Sequence, residues 1–230
     1  MNHYDDNAEI PVDVFVAGPT PCVYFPDRVS QAIVIDAPGD MKPTAYSHLA
    51  RAGYRRTGSM IYRPRCDGCD ACVPLRVVVD RHVPNRRFRR ILARNADLMV
   101  GLVDAGDMAD EHFDLYRRYI EGRHVDGGMY PPNHADLLSF TKSDGIETLA
   151  LDCRDGRGRL VASAVTDVLD QGLAAVYTFF DPGLGRRSLG VFTILQQIAE
   201  CRRRGLPHLY LGYWIDELRK MRYKAEYRPA

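Results

Sequence analysis

In the second half of the chain, apolar runs alternate with short polar connections, a pattern typical of an antiparallel sheet. Glycine-containing connections at residues 156–159 and 170–172 predict two hairpins. The strands that they join are predicted at residues 146–152, 160–168 and 173–180. This half of the chain therefore begins as three antiparallel strands that follow one another.

The apolar spacing then changes from the period of a strand to that of a helix. Phe192, Leu195 and Ile198 lie on one face of residues 189–204, which predicts a helix there. A further strand is predicted at residues 208–213. Antiparallel strands followed by a strand, a loop, a helix and a strand resemble the GCN5-related acyltransferase (GNAT) fold, so the predicted fold class is α+β with a GNAT-like C-terminal domain.

The first half of the chain mixes shorter elements. Three prolines in residues 18–30 predict extended or loop structure. Helices are predicted at residues 43–53, 84–96, 107–123 and 133–142, and strands at 73–80 and 98–103. We therefore predict a smaller N-terminal α/β domain that contains a cysteine loop, residues 1–105, and a C-terminal domain, residues 106–230.

The composition is that of a globular protein, with 230 residues of which 46% are hydrophobic. A net charge of +1 excludes a uniformly basic nucleic-acid coat, so any RNA binding must come from local patches. The chain has no run of roughly 20 apolar residues, the length that a membrane span needs. It begins with polar and acidic residues rather than a secretory signal, and we predict a cytoplasmic protein without membrane contact.

Three of the six cysteines form a tight cluster, Cys66, Cys69 and Cys72, spaced C-x2-C-x2-C. In a chain without a secretory signal this spacing favours metal binding or redox sensitivity over disulfides. A ferredoxin motif would place a fourth cysteine at position 76, where arginine stands, but Cys22 could complete four thiolates for zinc or an iron–sulfur cluster. The alternative is a loop of reduced thiols that holds no metal.

A run of arginines without an intervening acid lies between Asp80 and Asp97. Its members are Arg81, Arg86, Arg87, Arg89, Arg90 and Arg94. Such a surface suits salt-dependent contacts with the phosphates of RNA. Phe88, within the run, could stack on a base or belong to the core.

The loop before the helix at 189–204 has the composition of an anion site. The loop GRRSLG, which contains Arg187, Ser188 and Gly190, would present two arginines and backbone N–H groups at the helix start. Acyl-CoA enzymes usually carry a small residue where Phe192 stands, which argues against coenzyme A as the donor. An N-acetyltransferase nevertheless remains an alternative, as does a non-enzymatic metal-ribbon module that binds RNA.

Three groups of segments together form a specific pattern. They read CVYFPDR, then YRRTGSMIYRPRCDGCDACVPLRV, then AVYTFFDP, RRSLG, LYLGYWI and KMRYKAEYRP. In this order they resemble the bacterial aspartate/glutamate leucyltransferases, relatives of the arginyl-tRNA–protein transferases, over roughly residues 20–229. Phe25 and Tyr227 depart from the pattern, where Leu and Phe are expected. The short chain and the cysteine triplet favour the leucyl branch over the arginyl one.

This resemblance implies transfer of leucine from leucyl-tRNA to proteins with N-terminal Asp or Glu, which creates an N-degron. The ester in aminoacyl-tRNA is already activated, so no nucleotide or other cofactor is required; related transferases have been linked to an iron–sulfur cluster. Predicted catalytic residues are Asp181, Tyr177, Tyr213 and Tyr223. Predicted substrate-binding residues for the acceptor carboxylate are Arg76, Arg87, Arg90 and Lys224. His124 is a weaker candidate for a catalytic or tRNA contact.

Overall fold

The computed structural model describes residues 13–36, 43–141 and 145–228, which form a mixed α+β fold. The strands are β1 (Asp13–Val16), β2 (Thr20–Pro21), β3 (Val29–Ser30), β4 (Ala32–Asp36), β5 (Arg55–Thr57), β6 (Met60–Pro64), β7 (Val73–Val78), β8 (Met99–Asp104), β9 (Thr148–Arg154), β10 (Leu160–Leu169), β11 (Gly172–Phe180) and β12 (His208–Trp214). The α-helices are α1 (Pro43–Arg51), α2 (Arg86–Arg94), α3 (Asp110–Arg123), α4 (His134–Thr141) and α5 (Leu189–Arg203).

A six-stranded sheet forms the centre of the molecule, in the order β7-β12-β11-β10-β9-β8. Its neighbouring strands are antiparallel except for β11 and β12, which run parallel and are connected through α5. A parallel pair of this kind needs a crossover connection, whereas consecutive antiparallel strands such as β9, β10 and β11 can follow one another through short turns.

Both faces of the large sheet are covered. Ala164 and Val165 are neighbours in β10 and therefore point to opposite faces. Ala164 packs in the cluster that contains residues of α2 and α5, and Val165 packs in the cluster formed with α3. The N-cap of α2 is Asn85, whose side chain accepts a hydrogen bond from the backbone N–H of Phe88 at 2.9 Å.

A smaller four-stranded antiparallel sheet, in the order β1-β4-β6-β5, packs with α1 against the large sheet. Its contact residues include Ile35, Tyr46 and Ile61, together with Ala174 and Tyr210 of the large sheet. The small sheet therefore shares a hydrophobic core with the strands that follow it in sequence.

The predictions for the second half of the chain are confirmed, with β9 to β12 and α5 lying within two residues of the expected bounds. In the first half, the predicted helices 43–53, 84–96 and 107–123 are shorter, and residue 142 of the predicted helix 133–142 lies outside the described residues. The predicted strand 73–80 ends at Val78, where a 3-10 helix begins. The sequence pattern does not predict β1, β4 or β5.

Strands from both sides of residue 105 build the large sheet. β7 and β8 precede this position, and they pair with β12 and β9 respectively. The division into domains 1–105 and 106–230 stays a prediction, and the sheet itself crosses the proposed boundary. Among the helices that the structure describes, none combines the length and the apolar composition that crossing a membrane requires.

Candidate functional site

The parallel strands β11 and β12 pair over only the first part of their length. Their register runs from Gly172–His208 to Ala174–Tyr210, yet β11 continues to Phe180 and β12 to Trp214. Beyond the last pair the two strands part, and we call this opening the strand split. Backbone groups that lose their strand partner here need other polar partners.

The side chain of Arg55, from β5 of the small sheet, enters the strand split. Its Nη2 donates a hydrogen bond to the carbonyl oxygen of Ala175 on β11 at 2.7 Å. On the other side its guanidinium lies against Gly212 of β12, which has a φ of +73°. A Cβ at position 212 would overlap Nη1 of Arg55, so the close approach of the guanidinium requires glycine there.

Arg56, the next residue of β5, holds this strand in place. Arg56 pairs with Asp167 of β10, with Nη2 to Oδ1 at 2.6 Å and Nε to Oδ2 at 2.9 Å, and both side chains are fully buried. Tyr46 and Thr148 donate further hydrogen bonds to the same carboxylate. Since successive residues of a strand point to opposite sides, anchoring Arg56 directs Arg55 toward the split.

Lys224 approaches the strand split from the 3-10 helix Arg222–Glu226. Its Nζ donates to the carbonyl oxygens of Leu211 at 2.9 Å and Tyr213 at 2.8 Å, on either side of Gly212. Burial, and then the charge of Arg55, lowers the pKa of Lys224 to about 7. A large fraction of this amine is therefore neutral near pH 7, unlike an ordinary lysine.

Tyr213, a predicted catalytic residue, is buried beside Lys224. Its hydroxyl lies 2.9 Å from the carbonyl oxygen of Gly53, to which it donates. Burial, and then the proximity of Tyr62, raises its pKa. The hydroxyl is thus protonated at neutral pH and connects β12 to the N-terminal part of the chain. To donate to a reacting oxygen, as predicted, the hydroxyl of Tyr213 would have to give up its hydrogen bond to Gly53.

The other two predicted catalytic tyrosines share Tyr119 as a neighbour. The rings of Tyr177 and Tyr119 have centroids 6.4 Å apart in an edge-to-face arrangement. Burial, and then the proximity of Tyr119, raises the pKa of both Tyr177 and Tyr223. Both hydroxyls remain protonated at neutral pH, so they suit hydrogen-bond donation rather than proton abstraction.

Asp181 lies directly after β11, where its carboxylate is already engaged. Oδ1 accepts from the backbone N–H of Gly183 at 2.9 Å, which caps the 3-10 helix Pro182–Arg187. Oδ2 accepts from Arg118 and from Arg159, each at 3.1 Å. In this arrangement Asp181 shapes a turn and pairs with two cations. Its predicted contact with an α-ammonium would require Oδ2 to exchange an arginine.

α5 begins at Leu189, directly after the loop that the sequence predicts as an anion site. Ser188 has left-handed backbone angles (φ 55°, ψ 47°), and its side chain makes no capping hydrogen bond within the described part of the chain. Gly190 packs against Phe180, whose ring would lie 3.1 Å from a Cβ at this position. Arg187, however, forms a bidentate ion pair with Asp97. Its Nη1 lies 3.0 Å from Oδ1 and its Nη2 lies 2.8 Å from Oδ2, so the charge of Arg187 is already compensated by an acid.

The arginines of α2 differ in their surroundings. Arg87 pairs with Glu226 at 2.6 Å, while the side chains of Arg86 and Arg90 are exposed and make no hydrogen bond or ion pair with the residues that the structure describes. Phe88 is 1% exposed and stacks on Tyr227, with ring centroids 4.8 Å apart. The core interpretation of Phe88 is therefore confirmed, and the idea that it stacks on a base is wrong.

The four predicted ligand cysteines line one cavity of about 150 Å³, together with Tyr62 and Tyr213. They are Cys22, Cys66, Cys69 and Cys72. A backbone hydrogen bond from Ala71, and then Arg28, lowers the pKa of the Cys69 thiol. Burial, and then the other three thiols, raises the pKa of Cys72 to about 11. The thiols thus share a cavity but differ in how readily they ionise.

The thiols of this cavity make other contacts in the structure. Within residues 13–36, 43–141 and 145–228, no three side chains of His, Cys, Asp or Glu are grouped so that they could hold a metal ion. Cys66 instead lies against the backbone of Gln31, with N to Sγ at 3.5 Å, and Cys69 accepts from Arg28 at 3.4 Å. Zinc or iron–sulfur binding stays a prediction.

His124 lies at the C-terminal end of α3, where its Nε2 is 3.1 Å from the hydroxyl of Tyr119. Burial, and then the charge of Arg123, lowers its pKa, so the imidazole is mostly neutral at pH 7. It therefore lies beside Tyr119, which is itself a neighbour of Tyr177 and Tyr223. Its predicted contact with tRNA stays a prediction.

Arg55 is the residue of this site that the sequence pattern does not single out. One signal is the pair Arg55–Arg56 in a short strand, because adjacent residues there face opposite sides. A second signal is Asp167, an acid inside an apolar strand, which requires a buried cationic partner. Neither signal shows which arginine pairs with the acid and which enters the strand split.

Comparison with known proteins places this chain in a family. Residues 20–90 match the family model for the N terminus, and residues 111–230 the model for the C terminus, of arginine-tRNA-protein transferase. The chain is 48% identical to an aspartate/glutamate leucyltransferase of Alcanivorax borkumensis, over 90% of this chain and 85% of that protein. It is 46% identical to the protein of that name from Marinobacter nauticus, over 94% of this chain and 90% of that protein.

More distant solved structures share the fold. The C-terminal DUF2156 domain of a putative lysylphosphatidylglycerol synthetase from Agrobacterium fabrum superimposes with a TM-score of 0.53 at 16% identity, covering 80% of this chain and 61% of that one. L-PGS from Bacillus licheniformis gives a TM-score of 0.52 at 10% identity, covering 78% and 60%. The chain thus spans about three fifths of each of these structures. On the two family models and the identity to its relatives, the chain belongs to the arginine-tRNA-protein transferase family.

Proposed function

We propose that this protein transfers leucine from leucyl-tRNA to the N-terminal Asp or Glu of acceptor proteins. The observation that carries this proposal is the 48% identity, over 90% of the chain, to a relative named aspartate/glutamate leucyltransferase. The strand split supports it, because Arg55 places a cationic group beside an opening in the sheet, next to the amine of Lys224. A cation there suits an acidic acceptor and the developing negative charge of an ester under attack.

The reaction needs little from the protein besides positioning and one proton transfer. The α-amine of the acceptor attacks the ester carbonyl carbon of leucyl-tRNA, a C–N bond forms, and the bond to the ribose oxygen breaks. The amine loses a proton and the ribose oxygen gains one, so the overall proton balance is zero. The α-amine of a protein has a pKa of about 7.7 to 8.0, so only a moderate base is required.

Lys224 is the group that best fits this proton transfer. In its neutral form the amine can donate its two hydrogens to the carbonyl oxygens of Leu211 and Tyr213 and keep its lone pair. The lone pair could accept the proton that the acceptor amine loses, and Tyr223 or Tyr177 could donate toward the leaving oxygen. This assignment changes the role expected for Lys224 from binding a carboxylate to moving a proton.

The exposed face of α2 is the proposed contact for tRNA. Arg86 and Arg90 are exposed, and no acid of the described chain pairs with either. Phosphate contacts of this kind give affinity that falls as salt concentration rises.

The proposal also includes a GNAT-like fold and a cytoplasmic location for the reaction. The order β8 to β11, then α5 and a parallel β12 that parts from β11, supports a GNAT-like arrangement. By this proposal the product, a protein with an added N-terminal leucine, is formed in the cytoplasm and enters degradation as an N-degron. The donor is the aminoacyl ester rather than coenzyme A.

Transfer of labelled amino acid tests the proposed function. The purified protein is mixed with radiolabelled leucyl-tRNA or arginyl-tRNA, and with peptides that begin with Asp, Glu, Lys or Ala. We expect label to move from leucyl-tRNA to the Asp and Glu peptides alone. Transfer from arginyl-tRNA would assign the protein to the arginyl branch. If neither tRNA donates to any peptide while acetyl-CoA does, the proposal is wrong and the acetyltransferase alternative is correct.

A further inference from the structure

A pocket of about 110 Å³ lies beside the strand split, between the end of α1, β5, β7 and β12. Three arginines line it: Arg51 at the end of α1, Arg55 on β5 and Arg76 on β7. We call it the arginine pocket. The remaining lining residues, among them Tyr54, Tyr210 and Gly212, include no acid.

The positive charge of the arginine pocket affects its neighbours. Burial, and then the charges of Arg76 and Arg51, lowers the pKa of His208, which pairs with Gly172 at the start of the parallel strands. Arg51 is in contact with His48, whose Nδ1 is 2.7 Å from its Nη2, rather than with a carboxylate. An anion that entered this pocket would therefore meet three cations, none of which forms an ion pair with an acid in the described part of the chain.

Arg55 contributes an unsatisfied donor next to this space. While its Nη2 is bonded to Ala175, its Nη1 is buried and has no hydrogen-bond partner among the described residues. Buried guanidinium N–H groups normally have acceptors, and a planar guanidinium matches a carboxylate especially well. The unsatisfied Nη1 is a second observation, independent of the charge count, that points to an acidic ligand.

We propose that the arginine pocket binds the side-chain carboxylate of the acceptor's N-terminal Asp or Glu, with Arg55 and Arg76 as its specificity-determining residues. This inference rests on the proposed function and names the subsite that selects the acceptor. The amine of Lys224 is bonded to the carbonyls on either side of Gly212, beside the strand split where the α-amine of the same acceptor residue would react. The pocket thus binds the side chain while the strand split receives the backbone amine.

The size of the pocket favours a side chain over a tRNA phosphate. A space of about 110 Å³ holds several waters or a short acidic side chain. A phosphodiester carries a sugar on each side and needs an open groove, such as the exposed face of α2. Arg87, Arg90 and Lys224, the other predicted carboxylate ligands, lie on α2 or are bonded to β12. Of the predicted set, Arg76 alone lines the arginine pocket.

The test is direct binding of peptides, which does not depend on transfer. Peptides beginning with Asp, and matched peptides beginning with Asn, are titrated into the full-length wild type and into Arg55→Gln, Arg76→Gln and the control Arg157→Gln. Arg157 lies exposed in the β9–β10 turn. We expect the wild type and the control to prefer the Asp peptide, and each pocket variant to lose about 10- to 100-fold of that preference, as expected for a lost charged hydrogen bond.

The preference for Asp over Asn is a ratio, so it is unaffected by the fraction of protein that folds. Arg76→Gln changes an exposed residue, and it tests the pocket even where Arg55→Gln folds poorly. An unchanged preference in both variants overturns the inference, and so does a wild type that binds both peptides equally. If affinity for leucyl-tRNA falls while the preference stays, the pocket holds a tRNA phosphate and the inference is wrong. Failure of the transfer assay would overturn the proposed function separately.

Discussion

At the scale of single residues, the strand split brings two cations close together without an acid between them. Lys224 donates to two carbonyl oxygens, and Arg55 donates to one. Backbone carbonyls carry only partial negative charge, so they compensate a buried ammonium less completely than a carboxylate would. The lowered pKa of Lys224 is the consequence, and it links this residue to the stability of the fold.

Lys224 should make stability rise with pH. Its pKa is about 7 in the folded protein and about 10.4 in an unfolded chain, so the unfolded state binds more protons between these values. The destabilising charge is fully present below pH 7 and is relieved as pH rises. We expect the free energy of unfolding of the wild type to gain about 2 kcal/mol over Lys224→Met between pH 7 and 9.

Urea titrations of both proteins at several pH values measure this difference. Comparing the two chains removes the contributions of other titrating groups. Parallel pH profiles for the wild type and Lys224→Met would show that the lysine titrates normally in the folded state.

Single residues also show where sequence reasoning reaches its limit. Asp167 in an apolar strand indicates a buried partner, and the motif YRR offers two arginines. Which one pairs depends on the side of β5 that faces β10, and a three-residue strand with little apolar alternation does not reveal its orientation. The sequence predicts an available carboxylate at Asp181, but Arg118 and Arg159 reach it from distant parts of the chain.

At the scale of elements, β12 depends on a glycine at its irregular point. Gly212 has a φ of +73° and lies against Arg55, where the pairing of β12 with β7 shifts register. Gly158, in the β9–β10 turn, has a similar φ of +80°, but a Cβ added there would meet no described atom within 4 Å. The two glycines therefore form a matched pair for substitution.

We expect backbone strain to cost Gly212→Ala and Gly158→Ala about 1 to 2 kcal/mol of stability each, and Gly212→Ala to lose more in total because its Cβ also overlaps Arg55. Gly212→Ala should also displace Arg55 and reduce the preference for Asp over Asn peptides. Urea denaturation of both variants measures the loss of stability, and peptide titration measures the preference for Asp over Asn. Equal peptide preferences in the two variants would mean that Arg55 does not depend on the space at position 212.

The elements that the sequence predicts well are those with long apolar runs. β10 has buried residues along nearly its whole length, and α5 carries a full apolar face. β1 is exposed at all four positions, and β5 has three residues of which one is buried, so neither shows a periodic pattern. Their structure comes from pairing with β4 and β6, which the local sequence does not encode.

At the scale of the whole molecule, the large sheet joins the two halves of the chain. β7 contributes one edge and β8 the other, although the four strands between them follow residue 147. Fragments 1–105 and 106–230 would each expose strand edges and apolar surface that the intact protein covers. We expect neither fragment to fold alone.

Circular dichroism of the separate fragments measures this expectation. The intact chain should unfold in one transition, with the fluorescence of its one tryptophan, Trp214 in β12, coinciding with the loss of secondary structure. A fragment with a cooperative transition of its own would instead support two independent domains with a boundary near residue 105.

The contacts that fix Arg55 are also among the most distant in the chain. Arg55 and Ala175 are 120 positions apart, and Arg56 and Asp167 are 111 apart. Loop closure costs entropy that grows with the number of residues enclosed, so hairpins such as β9–β10 and β10–β11 should form before these contacts do. These hairpins of the large sheet would then form first, and the contacts that position Arg55 would form last. A newly made chain would stay inert toward aminoacyl-tRNA until folding is nearly complete.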